Sequence, residues 1–217
     1  MSRRGSRALR ALFGVILLPP LLVVLLHTLV RIVRRFYKFP IPEFLAGAID
    51  NPLRHRLQSP DETAIRHALE PGMVALEVGP GAGTYTMAAA RRVGDVGKLV
   101  TVDIEPKMIE RVELRAEAEG VQNIEARVEN VYDLPFEGGT FDAAYMIAVI
   151  GEIPEPKRAV RDLYRVLAPG GTLAFSEVLV DPDYPLTKTV MDWVAGSGFR
   201  LKEKVGNFFY YTLVFVK

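Results

Sequence analysis

Residues 75–86, A-L-E-V-G-P-G-A-G-T-Y-T, followed by residues 100–106, V-T-V-D-I-E-P, decide how this chain folds. Ala75 to Val78 is a short, mostly apolar run that ends a buried strand. Gly79, Gly81 and Gly83 make a tight turn, and Thr84 to Arg91 reads as the helix that follows. Strand, glycine turn and helix in that order form a nucleotide-binding βα unit, in which backbone N–H groups at a helix N-terminus approach the ligand. Asp103 closes the next apolar run, Lys98 to Val102, twenty residues beyond Gly83. A carboxylate at that distance accepts hydrogen bonds from ribose hydroxyls. The spacing predicts an adenosine derivative as ligand.

The details of the turn narrow the choice. A dinucleotide fingerprint reads G-x-G-x-x-G, whereas here the third glycine comes one residue early and Thr84 takes its place. An NAD-binding oxidoreductase is therefore the weaker reading. Glu77 lies two residues before the first glycine, where its charge repels a pyrophosphate and attracts a ligand that presents an ammonium and a sulfonium. S-adenosylmethionine is the expected cofactor.

E-V-G-P-G-A-G-T and V-D-I-E-P resemble the first two motifs of class I S-adenosylmethionine-dependent methyltransferases, in particular the type 11 subgroup that contains quinone-biosynthesis methylases. The resemblance continues through residues 129–136 (E-N-V-Y-D-L-P-F), 140–143 (T-F-D-A) and 164–171 (Y-R-V-L-A-P-G-G), so it covers residues 60 to 217. It implies that Gly79, Gly81 and Gly83 approach the methionine part of the cofactor, that Glu77 lies near its ammonium, and that Asp103 takes the ribose. Ile104 then packs on the adenine, Asn130 contacts the adenine amino group through its carbonyl oxygen, and the backbone at Val131 pairs with the ring. Apart from the resemblance, Asn130 also reads as a turn former.

Periodicity gives alternating elements from residue 60 onward. Ser59-Pro60-Asp61-Glu62 reads as a capping box with proline at the first helical position, opening a helix that Pro71-Gly72 ends. Strands are expected at Val74 to Val78, Lys98 to Val102, Ile124 to Val128, Ala143 to Ile147 and Thr172 to Glu177, with helices between them. A helix at Leu186 to Gly196 precedes two last strands, Arg200 to Val205 and Phe208 to Val216, joined across Gly206-Asn207 as an antiparallel hairpin. The fold class is α/β: a Rossmann-like seven-stranded sheet with helices on both faces and a C-terminal antiparallel hairpin. An N-terminal membrane helix is added to it, as follows.

Ala11 to Val30 contains no charged residue and has the roughly 20 residues that span a bilayer. Eight basic residues and no acidic one occupy residues 1–38, while the remainder holds 19 of the 27 basic residues against all 26 acidic ones, a net of −7. A basic collar favours an anionic membrane surface, and an acidic body disfavours nucleic acid. A cleaved signal peptide is the competing reading, but no small-x-small site follows the apolar run, which passes directly into Arg31-Ile-Val-Arg-Arg35. Pro19-Pro20 interrupts the span, so a kinked helix and a re-entrant hairpin both fit. Three parts are expected: a membrane anchor over 1–38, an amphipathic linker or lid over 39–58, and the methyltransferase domain over 59–217, facing the cytoplasm.

The chain has no cysteine, which excludes thiolate chemistry, arsenic methylation through thiolate ligands included. Its three histidines stand in no metal-binding spacing, so no metal is implied. Methyl transfer is an in-line displacement that depends mainly on alignment, and the loop after the fourth strand, Ala148 to Pro154, stands where α/β sheets bind ligands. Glu152 is its one titratable group. Partial burial would raise its pKa toward that of a general base, while a solvent-facing or helix-capping carboxylate is the alternative. The acceptor pocket is expected from Phe39 to Leu57 and from Phe208, Phe209, Tyr210 and Tyr211, although core packing in a buried strand is the first reading of these aromatics. The expected partners are the lipid bilayer and a lipophilic acceptor, either a phospholipid amine or a quinone precursor. Alternatives are a methyltransferase for a soluble small molecule and a noncatalytic adenosine-ligand-binding membrane factor.

Overall fold

The computed structural model describes Leu25, residues 28–33 and residues 58–217 of the 217-residue chain. The chain divides into two compact units, residues 1–39 and residues 40–217. In the first unit Leu25 and residues 28–33 are helical, with Leu25, Leu29, Ile32 and Val33 exposed. Among the described residues no helix is long and apolar enough to cross a membrane. Most of the expected span over 11–30 and all but Gln58 of the expected linker over 39–58 lie outside them.

The second unit holds α1 (Pro60–Arg66), β1 (Val74–Val78), α2 (Thr84–Val93), β2 (Lys98–Asp103), α3 (Pro106–Glu119), β3 (Ile124–Val128), β4 (Phe141–Ile147), α4 (Pro156–Val166), β5 (Leu167–Val178), α5 (Thr187–Val194), β6 (Arg200–Gly206) and β7 (Tyr210–Val216). The seven strands form one sheet in the order β3-β2-β1-β4-β5-β7-β6. β1 to β5 run parallel and β7 runs antiparallel between β5 and β6. The expected α/β class, strand number and closing hairpin agree with this sheet.

Alternation along the strands divides the core. Leu76, Val100, Ala144, Leu173 and Leu213 belong to one cluster, which also holds Val160 and Leu163 of α4 and Val190 of α5. Ala75, Leu99, Ala143, Tyr145, Ala174 and Val214 belong to another, with Ala64 of α1 and Ala89, Ala90 and Val93 of α2. β5 begins earlier than its apolar run indicates, because the register steps from Phe141↔Leu167 to Ala143↔Thr172. A-P-G-G thereby becomes an irregular bulge within the strand.

Several local expectations fail for physical reasons. Ser59 is the N-cap of α1, but its side chain makes no capping bond. Its carbonyl instead accepts the Thr63 hydroxyl at 2.7 Å. The helix stops at Arg66, well short of Pro71, because Ala68 turns left-handed (φ 58°). Leu69 N–H then bonds Ala64 O and Ala68 N–H bonds Ile65 O, a Schellman closure with alanine where glycine usually signals it. His67, at the C-cap, is buried with its Nε2 2.7 Å from Ser176 Oγ, and burial pushes its pKa down to about 3. It is a packed, neutral core histidine.

The hairpin turn is Asn207-Phe208-Phe209 rather than Gly206-Asn207, since Gly206 still pairs with Tyr211. Asn207 Oδ1 accepts the Phe209 N–H at 2.8 Å, an Asx turn that holds the tip. The buried strand therefore begins at Tyr210: Tyr211 is buried, whereas Phe208 and Phe209 are 59% and 65% exposed. These two phenylalanines are not core residues.

Candidate active site

The turn after β1 is fastened at both ends by backbone bonds. Gly79 N–H donates to Val102 O at 2.9 Å and Gly83 N–H to Pro80 O at 3.0 Å. Gly79, Gly81 and Gly83 have φ of 75°, 56° and 79°, conformations that cost any residue with a Cβ. A Cβ on Gly79 would stand 2.5 Å from Val149 Cγ2, while one on Gly81 would meet nothing within 4 Å. The turn is thus pressed against the loop after β4 at its first glycine and open at its second, as a cradle for a ligand must be. Arg115 of α3 secures the outside, donating to Ala82 O at 3.1 Å and to Thr84 Oγ1 at 2.6 Å.

Glu77 occupies the middle of the sheet, in register with Thr101 of β2 and Tyr145 of β4. Its carboxylate is buried, and its Oε2 accepts the hydroxyls of Thr86 at 2.6 Å and Thr101 at 3.0 Å. Burial raises its pKa to about 7, with the two hydroxyls opposing the rise and the Asp103 charge adding to it. The structure places Glu77 beneath the first turn of α2, bonded to Thr86 there. Tyr145 stays protonated, because burial and then the Glu77 charge raise its pKa.

Asp103 ends β2 and is half-buried; its Oδ1 accepts the Glu105 N–H at 2.9 Å. Burial raises its pKa, and the bond from Glu105 works against that rise. Ile104 beside it is exposed, an open apolar surface suited to a flat ring. The Asp103 carbonyl accepts the Glu129 N–H at 3.0 Å, which brings the loop after β3 alongside. There Val131 is buried, and Asn130 is exposed with Oδ1 accepting the Tyr132 N–H at 3.0 Å. Asn130 is therefore a turn former here, placed beside Asp103. Gly79, Asp103, Ile104, Asn130 and Val131 all stand at the C-terminal ends of adjacent strands, where such sheets bind ligands.

The loop after β4 belongs to the same end. Ala148 is left-handed (φ 57°) and donates to Ser176 O at 2.8 Å. A Cβ on Gly151 would stand 2.1 Å from Asp183 O. The loop is held between the cofactor turn on one side and the β5–α5 connection on the other. Glu152 within it is half-buried, its N–H bonded to Val149 O at 2.9 Å. Among the described residues, no three His, Asp or Glu gather as a metal site. A cleft of about 440 Å³ lined by Glu70, Asp142 and Pro169 lies at the opposite end of the strands and takes no part.

Sequence reasoning missed Thr86, Thr101 and Arg115. The threonines carry a faint signal, hydroxyls within otherwise apolar elements, whereas nothing near Arg115 points to the turn 31 residues upstream.

Comparison with known proteins agrees with this geometry. A family model described as a methyltransferase domain matches residues 76–175. An arsenite methyltransferase of Halobacterium salinarum is 33% identical over 118 residues, covering 54% of this chain and 30% of that protein. The ubiquinone/menaquinone biosynthesis C-methyltransferase UbiE of Hydrogenovibrio crunogenus is 34% identical over 151 residues, 65% of this chain and 57% of that one. The chain thus spans between 30% and 57% of the length of these two relatives. A solved S-adenosylmethionine-dependent methyltransferase from Aquifex aeolicus superposes with a TM-score of 0.75 at 22% identity, over 81% of this chain and 98% of that one, and shares its fold. Residues 76–175 accordingly match a methyltransferase domain, a match that implies S-adenosylmethionine as the cofactor.

Proposed function

We propose that the chain transfers a methyl group to a lipophilic acceptor at the cytoplasmic membrane surface, a quinone precursor or a phospholipid amine. The observation that carries this reading is the juxtaposition of the glycine cradle and Asp103 with the β4 loop bearing Glu152, at one end of the sheet. S-adenosylmethionine supplies an electrophilic methyl on its sulfonium. Asp103 holds the ribose, the glycine turn and Val131 accept the rest of the cofactor, and the buried Glu77 carboxylate favours its positive charge. Glu152 takes a proton from the acceptor where one must leave, and alignment supplies most of the acceleration.

The quinone methylase relative supports an apolar acceptor. The arsenite relative does not extend to this chain, which has no cysteine to hold arsenic. The uncharged residues 11–30 and their basic flanks support a membrane location, and a tether raises effective concentration only for acceptors that share the bilayer.

The test is to incubate the full chain with methyl-labelled S-adenosylmethionine and a total membrane lipid extract. Label is expected in the organic phase, and Asp103→Ala should weaken cofactor binding roughly 10- to 150-fold, as loss of a hydrogen bond to a charged group does. Label confined to water-soluble products would replace the lipophilic acceptor with a soluble one.

A further inference from the structure

The tip of the β6–β7 hairpin carries apolar surface that the fold does not use. Phe208 and Phe209 stand exposed on the turn, their rings 5.8 Å apart. Phe209 O accepts the Leu179 N–H at 2.8 Å, which sets the tip beside Val180, itself 69% exposed. Tyr184 donates to Phe208 O at 2.6 Å and Tyr211 to Pro185 O at 2.7 Å, which draws in Leu186, also exposed. Four exposed apolar side chains thus stand on two connections that these bonds tie together.

Charge surrounds this point on one side. β6 reads R-L-K-E-K-V-G, and Arg200, Lys202 and Lys204 are all exposed, three cations against the single anion Glu203. At about 3.3 Å per residue, Lys204 stands about 7 Å back along the strand from Gly206, and Lys202 lies further back, at the register shift between Leu201 and Glu203. That spacing suits an element whose apolar part enters the headgroup–acyl boundary by about 5–10 Å while its lysines meet lipid phosphates. The tip also follows directly on the C-terminal end of β5, whose Val178 pairs with Tyr210. It therefore stands at the methyl-transfer end of the sheet. A water-facing hairpin needs no aromatic pair, and a protein partner would not require the basic strand.

We infer that Phe208, Phe209, Val180 and Leu186 form a docking tip that enters an anionic bilayer, with Lys202 and Lys204 on the headgroups, and so holds the open end of the methyltransferase site against the lipid surface. The inference rests on the membrane reading above and adds to it the face that meets the lipid.

The experiment uses the full chain with Trp193→Phe, so that single tryptophans report alone. Phe208→Trp, Phe209→Trp and, as a control, Glu137→Trp before β4 at the far end of the sheet are each reconstituted with vesicles of phosphatidylcholine and about one-third phosphatidylglycerol carrying brominated acyl chains. Tryptophan at 208 or 209 is expected to be quenched and blue-shifted, and tryptophan at 137 is not. Lys202→Glu with Lys204→Glu should reduce the quenching at 209, each reversal weakening headgroup attraction at least about fivefold. If the protein floats with the vesicles but 208 and 209 are quenched no more than 137, the docking tip is wrong and the membrane reading stands. If it does not float, both fall. A blue shift in detergent without bromolipid, accompanied by a dimer in sedimentation, would assign the tip to a second copy of the chain and overturn the bilayer.

Discussion

The two halves of the ligand-binding edge are built in different ways. Across β3, β2 and β1 the cofactor half is made from short segments, each ending its own strand: the glycine turn, Asp103-Ile104 and Asn130-Val131, tied by Gly79 N–H to Val102 O and Glu129 N–H to Asp103 O. Across β4, β5 and β7 the other half is assembled from segments distant in sequence, through Ala148 to Ser176, Gly151 against Asp183, Tyr184 to Phe208 and Tyr211 to Pro185. The first half is set by local geometry. The second is free to differ in its loops while the sheet beneath it stays the same, which is how one scaffold serves many acceptors.

The comparison is broken most directly at Glu152. Glu152→Gln should leave cofactor affinity nearly unchanged and, for an acceptor that must lose a proton before attack, lower turnover roughly 10²- to 10⁴-fold, the range for a lost general base. Calorimetry and single-turnover rates separate the two. Full activity from pH 6 to 9 with the natural acceptor would remove Glu152 from the mechanism and leave alignment alone to account for the rate.

A second test strikes the seam between the halves. Gly79→Ala drives a Cβ into Val149 and puts alanine at φ 75°, which should cost about 2–5 kcal/mol in urea unfolding. Val149→Ala added to it should recover the steric part and leave about 1–2 kcal/mol from the backbone. Recovery of nothing would mean that the two loops do not bear on each other.

Glu77 gives a test by pH. Its proton leaves near 4.5 when unfolded and near 7 in the fold, so the stabilisation is fully present below pH 4.5 and is lost as pH rises through about 7. The fall amounts to about 3 kcal/mol, and Glu77→Gln should abolish that slope. A cationic cofactor favours the ionised carboxylate, so its affinity should rise through the same interval in the parent protein and stay level in the variant. Equal slopes in both proteins would assign the titration elsewhere.

The smallest effect is expected at Arg115. Arg115→Met keeps the packing and removes the bonds to Ala82 and Thr84, which should weaken cofactor binding by about 1 kcal/mol, roughly fivefold, without slowing the bound complex. A change in turnover at saturating cofactor would contradict a purely positioning role.

The glycine turn and the strand-end Asp103 were legible because their signals are local: glycines at positive φ and a carboxylate at the end of a strand are written within a few residues. The sheet was legible from period and turn chemistry, including the antiparallel last strand. The end of α1 was not, because alanine rather than glycine takes the left-handed position at 68. Phe208 and Phe209 misled because apolar residues in a turn look like a longer strand. The burial of Glu77 between Thr86 and Thr101 depended on register and helix placement, which no local pattern records. Arg115 reaches its partners only once α3 has packed.

The place of β7 inside the sheet has a consequence for how the protein is made. β5 cannot acquire its second neighbour until residues 210–216 exist, so an unfinished chain presents a long apolar strand with an uncovered edge. At about 5–20 residues per second, the roughly 40 residues between Val178 and Val216 leave that edge bare for about 2 to 8 s. During that interval the nascent chain is open to pairing with other strands, and its yield in a cell depends on what shields β5 while the last hairpin is being translated.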